Sequence, residues 1–273
     1  MWFGFELAIG IYAAMIGGIY AFQRSLMYYP VKTIASPDVY GLAGVKETSL
    51  TSFDGTELQA WVHPASSGWP TILYFHGNAE HLGSRAAKFS AFIDAGFGLI
   101  AVSYRGFGKS DGSPSEAGIY GDARAAVDFA LHTLRVPHHE LIYYGESLGS
   151  GVAVQMASER TPGLLALEAA YTSVETRSAE LYPFIVGARH LVIDKYDSLA
   201  KIGKIKTPLL MLHGEKDATI PVRMGRELFA AAHEPKTLVV YPNVYHADFS
   251  NEQILTPLLA EVRKYKLIKP AKH

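Results

Sequence analysis

The chain has 273 residues, 49% hydrophobic and 19% charged, which is enough apolar mass for one large core and too little charge for a disordered polymer. Its 25 basic and 26 acidic residues nearly cancel, and no basic stripe with interleaved aromatics marks a nucleic-acid surface, so no nucleic-acid partner is expected. The absence of cysteine excludes disulfides, thiolate metal ligands and a cysteine nucleophile.

The first element is apolar. Trp2 to Phe22 carries one charge, Glu6, and Leu7 to Phe22 none, close to the ~20 residues that a membrane-crossing helix needs. Residues 1–30 are therefore read as a membrane anchor or membrane-associated helix. A helix docked on the catalytic body or pairing two copies is the second reading, and a cleaved leader the third, since no Lys or Arg precedes the apolar run. Gly10, Ala14 and Gly18 form a small-residue stripe at four-residue spacing, which permits homo-oligomer contacts through this helix. Arg24 and Lys32 follow the segment and Glu6 precedes it, so the positive-inside rule puts residues 31–273 on the cytoplasmic side.

From Val45 onward, short β-rich runs alternate with helical ones. Val45 to Ser52 and Glu57 to His63 flank the turn signal Asp54-Gly55 and read as a hairpin. Strands follow at Thr71–Phe75, Phe97–Tyr104, Leu141–Tyr144, Leu164–Ala169, Pro208–Leu212 and Thr237–Tyr241. Helices are predicted at Ser84–Ala95, from the capping-box signal Ser113-Pro-Ser-Glu116 to Leu134, and at Leu148–Arg160, Arg223–Ala232 and Glu252–Lys266. This alternation predicts an α/β class, with a mostly parallel sheet covered by helices and an antiparallel start. Tyr171–Leu199 breaks the rhythm; it is helical in tendency and rich in aromatic and aliphatic residues, and a cap is the leading expectation, with a lengthened crossover helix as the plainer one.

Gly-x-Ser-x-Gly occurs twice, at Gly108–Gly112 and at Gly145–Gly149. A nucleophile elbow needs a strand directly before the serine and a helix directly after it, with glycines relieving the crowding at the bend. Ser147 has that setting and Ser110, in a glycine-rich charged loop, does not. The same loop fails as a phosphate cradle, because Ser103 stands where a P-loop needs glycine, and fails as a dinucleotide fingerprint, because Asp111 occupies the last glycine position. No cofactor site is expected.

A serine hydroxyl needs an imidazole to take its proton. His246 follows the last strand and Asp217 the strand before it, and the order Ser147, Asp217, His246 suits a site at the carboxyl edge of such a sheet. Glu215 is the local competitor of Asp217. Backbone N–H groups of Leu148, at the start of a helix, and of Asn78, after Phe75-His-Gly, are the expected oxyanion donors. His76 is expected to shape that loop without proton chemistry. The neighbours His138-His139-Glu140 read as solvated, and no metal site is expected. Tyr182, Phe184 and Ile185, with Leu181, are the expected substrate-binding residues of the cap.

Together, His76-Gly-Asn-Ala-Glu80, Ser103-Tyr-Arg-Gly-Phe-Gly-Lys-Ser-Asp-Gly112, Gly145-Glu-Ser-Leu-Gly149, Leu212-His-Gly-Glu-Lys-Asp217 and Tyr245-His246 form an ordered set. The set resembles the α/β-hydrolase-domain-containing serine hydrolases that carry an N-terminal membrane helix, and Phe22-Gln-Arg-Ser-Leu-Met-Tyr-Tyr-Pro30 resembles that group too. The resemblance implies an eight-stranded α/β-hydrolase fold, a Ser–Asp–His triad and hydrolysis of acyl esters or thioesters. A membrane-associated esterase or lipase, with monoacylglycerols among its substrates, is the leading expectation. An acyl-protein thioesterase or a peptidase with the same triad is the alternative, and a silent membrane scaffold the remote one.

Overall fold

A computed structural model describes residues 2–270, the side chains of Trp2 and Phe3 excepted. The chain opens with α1 (Trp2–Met27), β1 (Tyr29–Pro30), β2 (Lys46–Thr51), β3 (Glu57–His63), β4 (Thr71–Phe75) and β5 (Ala79–Glu80). Then come α2 (Ala86–Asp94), β6 (Gly98–Val102), α3 (Glu116–Asp128), β7 (Leu141–Glu146), α4 (Leu148–Glu159) and β8 (Leu164–Glu168). The short helices α5 (Val174–Leu181), α6 (Ala188–Leu191) and α7 (Leu199–Ile202) precede β9 (Leu209–Gly214), α8 (Val222–Ala231), β10 (Lys236–Tyr241) and α9 (Asn251–Lys264).

Eight strands form one sheet in the order β10-β9-β8-β7-β4-β6-β3-β2. Six run parallel, from β6 to β10, and β3 lies antiparallel to both β6 and β2, as the Asp54-Gly55 hairpin requires. The parallel strands are buried on both faces, which is why they read as continuous apolar runs. Side chains alternate across the pleat: Leu73 and Phe75 of β4 pack on one face, and Ile72 and Tyr74 on the other with α2 and α9. This is the α/β-hydrolase architecture that the resemblance implies, with its eight strands.

Local chemistry adjusts the predicted bounds. α3 starts at Glu116, not at Pro114, because Ser115 is the residue whose hydroxyl caps it, by accepting from the Gly118 amide at 3.2 Å. Glu116 does not close a capping box; its carboxylate takes the amides of Lys195 and Tyr196 and so fixes the end of the cap segment. The last turn before Leu134 widens to a π-turn over Phe129–Thr133. His138 and His139 lie on a short 3₁₀ turn, not a strand entry.

One small ladder has no counterpart in the sequence reading. β1 pairs with β5 in parallel, Tyr29 opposite Ala79, and the Tyr29 amide donates to the Asn78 carbonyl at 2.8 Å. Two-residue strands have no periodicity to read, yet this one ties the foot of α1 to the loop after β4.

Beneath the centre of the sheet's carboxyl edge lies a buried charge network. Glu146 and Glu168 face each other in the β7–β8 register, and Lys88 of α2 bridges them, 2.6 Å from one and 2.8 Å from the other. Arg85 closes on Glu146 at 2.9 Å, while Tyr74 and Tyr144 donate their hydroxyls to Glu146 and Glu168. These cations hold the Glu146 carboxyl below the usual carboxylate range despite burial, and burial beside Glu146 pushes Glu168 up. Removing one member of a buried pair leaves an uncompensated charge, which costs about 3–5 kcal/mol. Lys88→Met is accordingly expected to lose that much stability in urea unfolding, and a loss below about 1 kcal/mol would show the network to be dispensable.

Candidate active site

β7 ends and α4 begins at one residue, Ser147, whose backbone sits at φ 52°, ψ −119°. Such a conformation costs a non-glycine residue on the order of 1–3 kcal/mol, and it survives only where the surroundings enforce it. Here they do. The Ser147 amide donates to the Glu168 carbonyl at 2.9 Å, and Ser147's carbonyl accepts from Ser150 at 2.8 Å. A Cβ at Gly145 would strike the backbone of Gly149 and Ser150, and one at Gly149 would strike the Phe75 carbonyl, so both flanking glycines are required by packing. α4 is buried nearly all round, because small residues let it lie against β4 and β7.

The bend turns the Ser147 hydroxyl toward His246, 2.9 Å from Oγ to Nε2. On its other side His246 Nδ1 lies 2.8 Å from Asp217 Oδ2. An ionised carboxylate only accepts, so Nδ1 carries the proton and Nε2 is free to accept the serine's. Asp217 is buried, with its second oxygen held by the Ile220 amide at 2.7 Å. The turn after β9 supplies Asp217 and the loop after β10 supplies His246; both strands run parallel to β7, which brings all three residues to one edge. Glu215 takes no part and pairs instead with Arg226. Ser110 is likewise occupied, donating to the Ser103 carbonyl and accepting from the Gln59 amide.

The loop after β4 approaches Ser147 closely: a Cβ at Gly77 would lie 3.6 Å from that of Ser147. Among the described residues, the amides of Asn78 and Leu148 find no acceptor in the fold, as suits donors kept for a ligand. Asn78 is held from behind, its side chain donating to the Met27 carbonyl at 2.7 Å. His76 is fully buried, donating from Nδ1 to the Gly77 carbonyl and accepting the Tyr104 amide on Nε2. Burial, with Arg85 nearby, pushes its pKa down to about 3, so it stays neutral as a loop support.

Sequence reasoning did not find His213 or the Lys88 network. His213 is buried next to Asp217 and donates Nε2–H to the Ile220 carbonyl at 2.8 Å, clamping the turn that orients the carboxylate. Burial outweighs the pull of Asp217 and lowers its pKa. The signal for the network was the placement of Glu146 and Glu168 at matching ends of two apolar strands.

Two cavities meet at Ser147 and Asn78. One, about 250 Å³, is apolar and walled by α4, the cap and α1, with Leu148, Leu181, Tyr182, Ile185, Ile16 and Ile19 among its lining. The other, about 430 Å³, is polar and runs past Glu80, Arg85, Glu146 and His246. Tyr182 and Ile185 stand where the sequence reading put them. Phe184 does not: it is 55% exposed on the outer face of the cap, because α5 ends at Leu181 and the chain turns there. No group of His, Asp and Glu side chains able to hold a metal ion occurs among the described residues.

Comparison with known proteins places this geometry in context. Residues 70–195 and 197–253 match the model of a family described as serine aminopeptidase, S33. An uncharacterized protein of Mycobacterium tuberculosis is 34% identical over 88% of this chain and 87% of its own. The alpha/beta hydrolase domain-containing protein WAV2 of Arabidopsis thaliana is 30% identical, over 88% of this chain and 86% of that one. Among solved structures, the Pyrococcus furiosus esterase Pf2001 superposes with a TM-score of 0.69 at 18% identity, covering 88% of this chain and 97% of its own.

The buried imidazoles give the site a pH signature. His76 and His213 hold folded pKa values below 6.5, so the unfolded chain binds protons below pH 6.5 that the fold refuses. Stability is therefore lost as pH falls, by about 1.4 kcal/mol per pH unit for each group that stays neutral. Urea unfolding between pH 7 and pH 5 is expected to show this decline, and His76→Gln to make it shallower. An identical slope in the variant would mean that His76 titrates in the fold as it does in the open chain.

Proposed function

Because the chain belongs to the serine aminopeptidase S33 family of α/β-hydrolases, we propose that it is a serine esterase cleaving medium- or long-chain acyl esters at a membrane, through an acyl-enzyme on Ser147. The observation that carries this reading is the apolar cavity opening directly onto the Ser147 hydroxyl. In this scheme, His246 accepts the Ser147 proton as Oγ attacks the ester carbonyl, while Asp217 steadies the imidazolium. The amides of Asn78 and Leu148 receive the oxyanion, each worth about 10²–10³ in rate. His246 then gives its proton to the departing alcohol, which leaves through the polar cavity. A water entering by the same route is deprotonated by His246 and releases the acid.

An aminopeptidase needs a carboxylate free to hold the substrate's ammonium group. The two glutamates facing the polar cavity, Glu80 and Glu146, are both engaged by Arg85, so the acyl ester has the better support. The proposal extends to the segment roles: residues 1–30 attach to the membrane, 31–273 form the catalytic body, and 171–199 form its cap. α1 supports the attachment, since it is long and apolar enough to cross a bilayer and bears exposed Phe5, Leu7, Ile9, Ile11 and Phe22.

Each methylene buried in the cavity contributes about 0.8 kcal/mol, so kcat/KM for nitrophenyl esters is expected to rise about fourfold per added CH₂ until the cavity fills. Fluorophosphonate labelling should appear in the purified chain and vanish in Ser147→Ala. Faster cleavage of a peptide amide or an S-acylated peptide than of any ester in the series would overturn the ester assignment.

A further inference from the structure

α1 has two faces. Tyr12, Ile16, Ile19, Gln23 and Met27, spaced at four, three, four and four residues, form one helical stripe that is partly covered by the domain. Four of them, all but Tyr12, line the apolar cavity beside Ser147. Ile11, Met15 and Phe22 lie off this stripe, stay exposed and take no part in that cavity, while Tyr20 and Leu26, at its edges, are exposed and also border it. A helix that served only as a tether would have no reason to present one stripe to the site.

The contacts along this stripe are specific. The Tyr12 hydroxyl donates to the Phe184 carbonyl and accepts the Val186 amide, at 2.9 and 3.0 Å. The Gln23 amide group does the same for the Leu191 carbonyl and the Ile193 amide. Arg24 and Tyr28 both donate to Asp194, which is only 4% exposed. Four backbone groups of the irregular cap are thus satisfied by α1 side chains, and such internal pairing is the condition under which non-helical chain tolerates hydrocarbon. The cap tip is itself apolar, with Phe184 and Val186 open on its surface, Val186 85% exposed. Of α1, Trp2–Ile11, about 15 Å of helix, reaches past the contact at Tyr12, against about 30 Å of bilayer core. For α1 to cross that core, the cap tip has to enter it.

We propose that α1 is a wall of the acyl site as well as an anchor, and that the substrate's chain enters from the bilayer through the seam between α1 and the immersed cap tip. This rests on the esterase reading for the identity of the chain, and the experiment separates the two. The full-length protein in phosphatidylcholine vesicles is treated with alkyl fluorophosphonates of short and long chain, and phosphonylation of Ser147 is followed by mass. In this step Oγ bonds to phosphorus and fluoride leaves. Ile19→Trp and Ile16→Trp, which fill the wall, are expected to lower the long-to-short rate ratio about tenfold, and Ile11→Trp on the outer face to leave the ratio as it was. In parallel, Val186→Trp in a Trp2→Phe background is expected to be quenched by brominated acyl chains. Leu134→Trp should not be, because α3 returns the chain to the opposite edge of the sheet. An unchanged ratio in both wall variants, or no quenching at 186, overturns the proposal. Failure of every probe to label Ser147 in the unsubstituted protein would instead overturn the esterase reading, with the quenching arm still deciding whether the cap is immersed.

Discussion

The backbone bend at Ser147 is the constraint from which the site is built. A positive φ at a residue with a side chain is unfavourable by itself, and every neighbour contributes to keeping it. Gly145 and Gly149 remove the atoms that would collide, the Glu168 carbonyl receives the Ser147 amide, and the helix that follows is buried against β4 and β7. Below the bend, Lys88 ties Glu146 to Glu168 and Arg85 holds Glu146 as well, which resists sliding of the adjacent strands where the hydroxyl is presented. The strain is local and its restraint is spread over three strands, β4, β7 and β8, and two helices, α2 and α4.

The hydrogen-bonding groups around the serine divide into those that act and those that hold. His246 reaches the hydroxyl and the amides of Asn78 and Leu148 are the proposed oxyanion donors, whereas His76, His213 and the Ile220 backbone fix the loops on which they stand. The holding imidazoles are buried and neutral, while His246 is the one partly open to the cavities. Three histidines close to one serine thus have different duties because burial and partners differ, not because of spacing in the chain.

Much of this was legible in the sequence, for identifiable reasons. The parallel strands are buried on both faces and so appear as short apolar runs, and the order of Ser147, Asp217 and His246 follows from loops at one sheet edge. What escaped was held by contacts distant in the chain. Lys88 sits on an amphipathic helix where a lysine suggests solvent, and only the β7–β8 register reveals its two glutamates. The β1–β5 ladder is too short to have a period. Phe184 was assigned to the cavity by its hydrophobicity alone, and the turn after Leu181 sends it outward.

The bond from the Asn78 side chain to the Met27 carbonyl, with the Tyr29 amide on the Asn78 carbonyl, has a practical consequence. A shortened version starting near residue 30, the obvious route to a detergent-free preparation, would lose more than its affinity for lipid. It would release the loop that presents the Asn78 amide and open one side of the chamber to water. Under the proposed mechanism, turnover measured on such a fragment would describe a loosened oxyanion site, and a low rate would be mistaken for a poor choice of substrate.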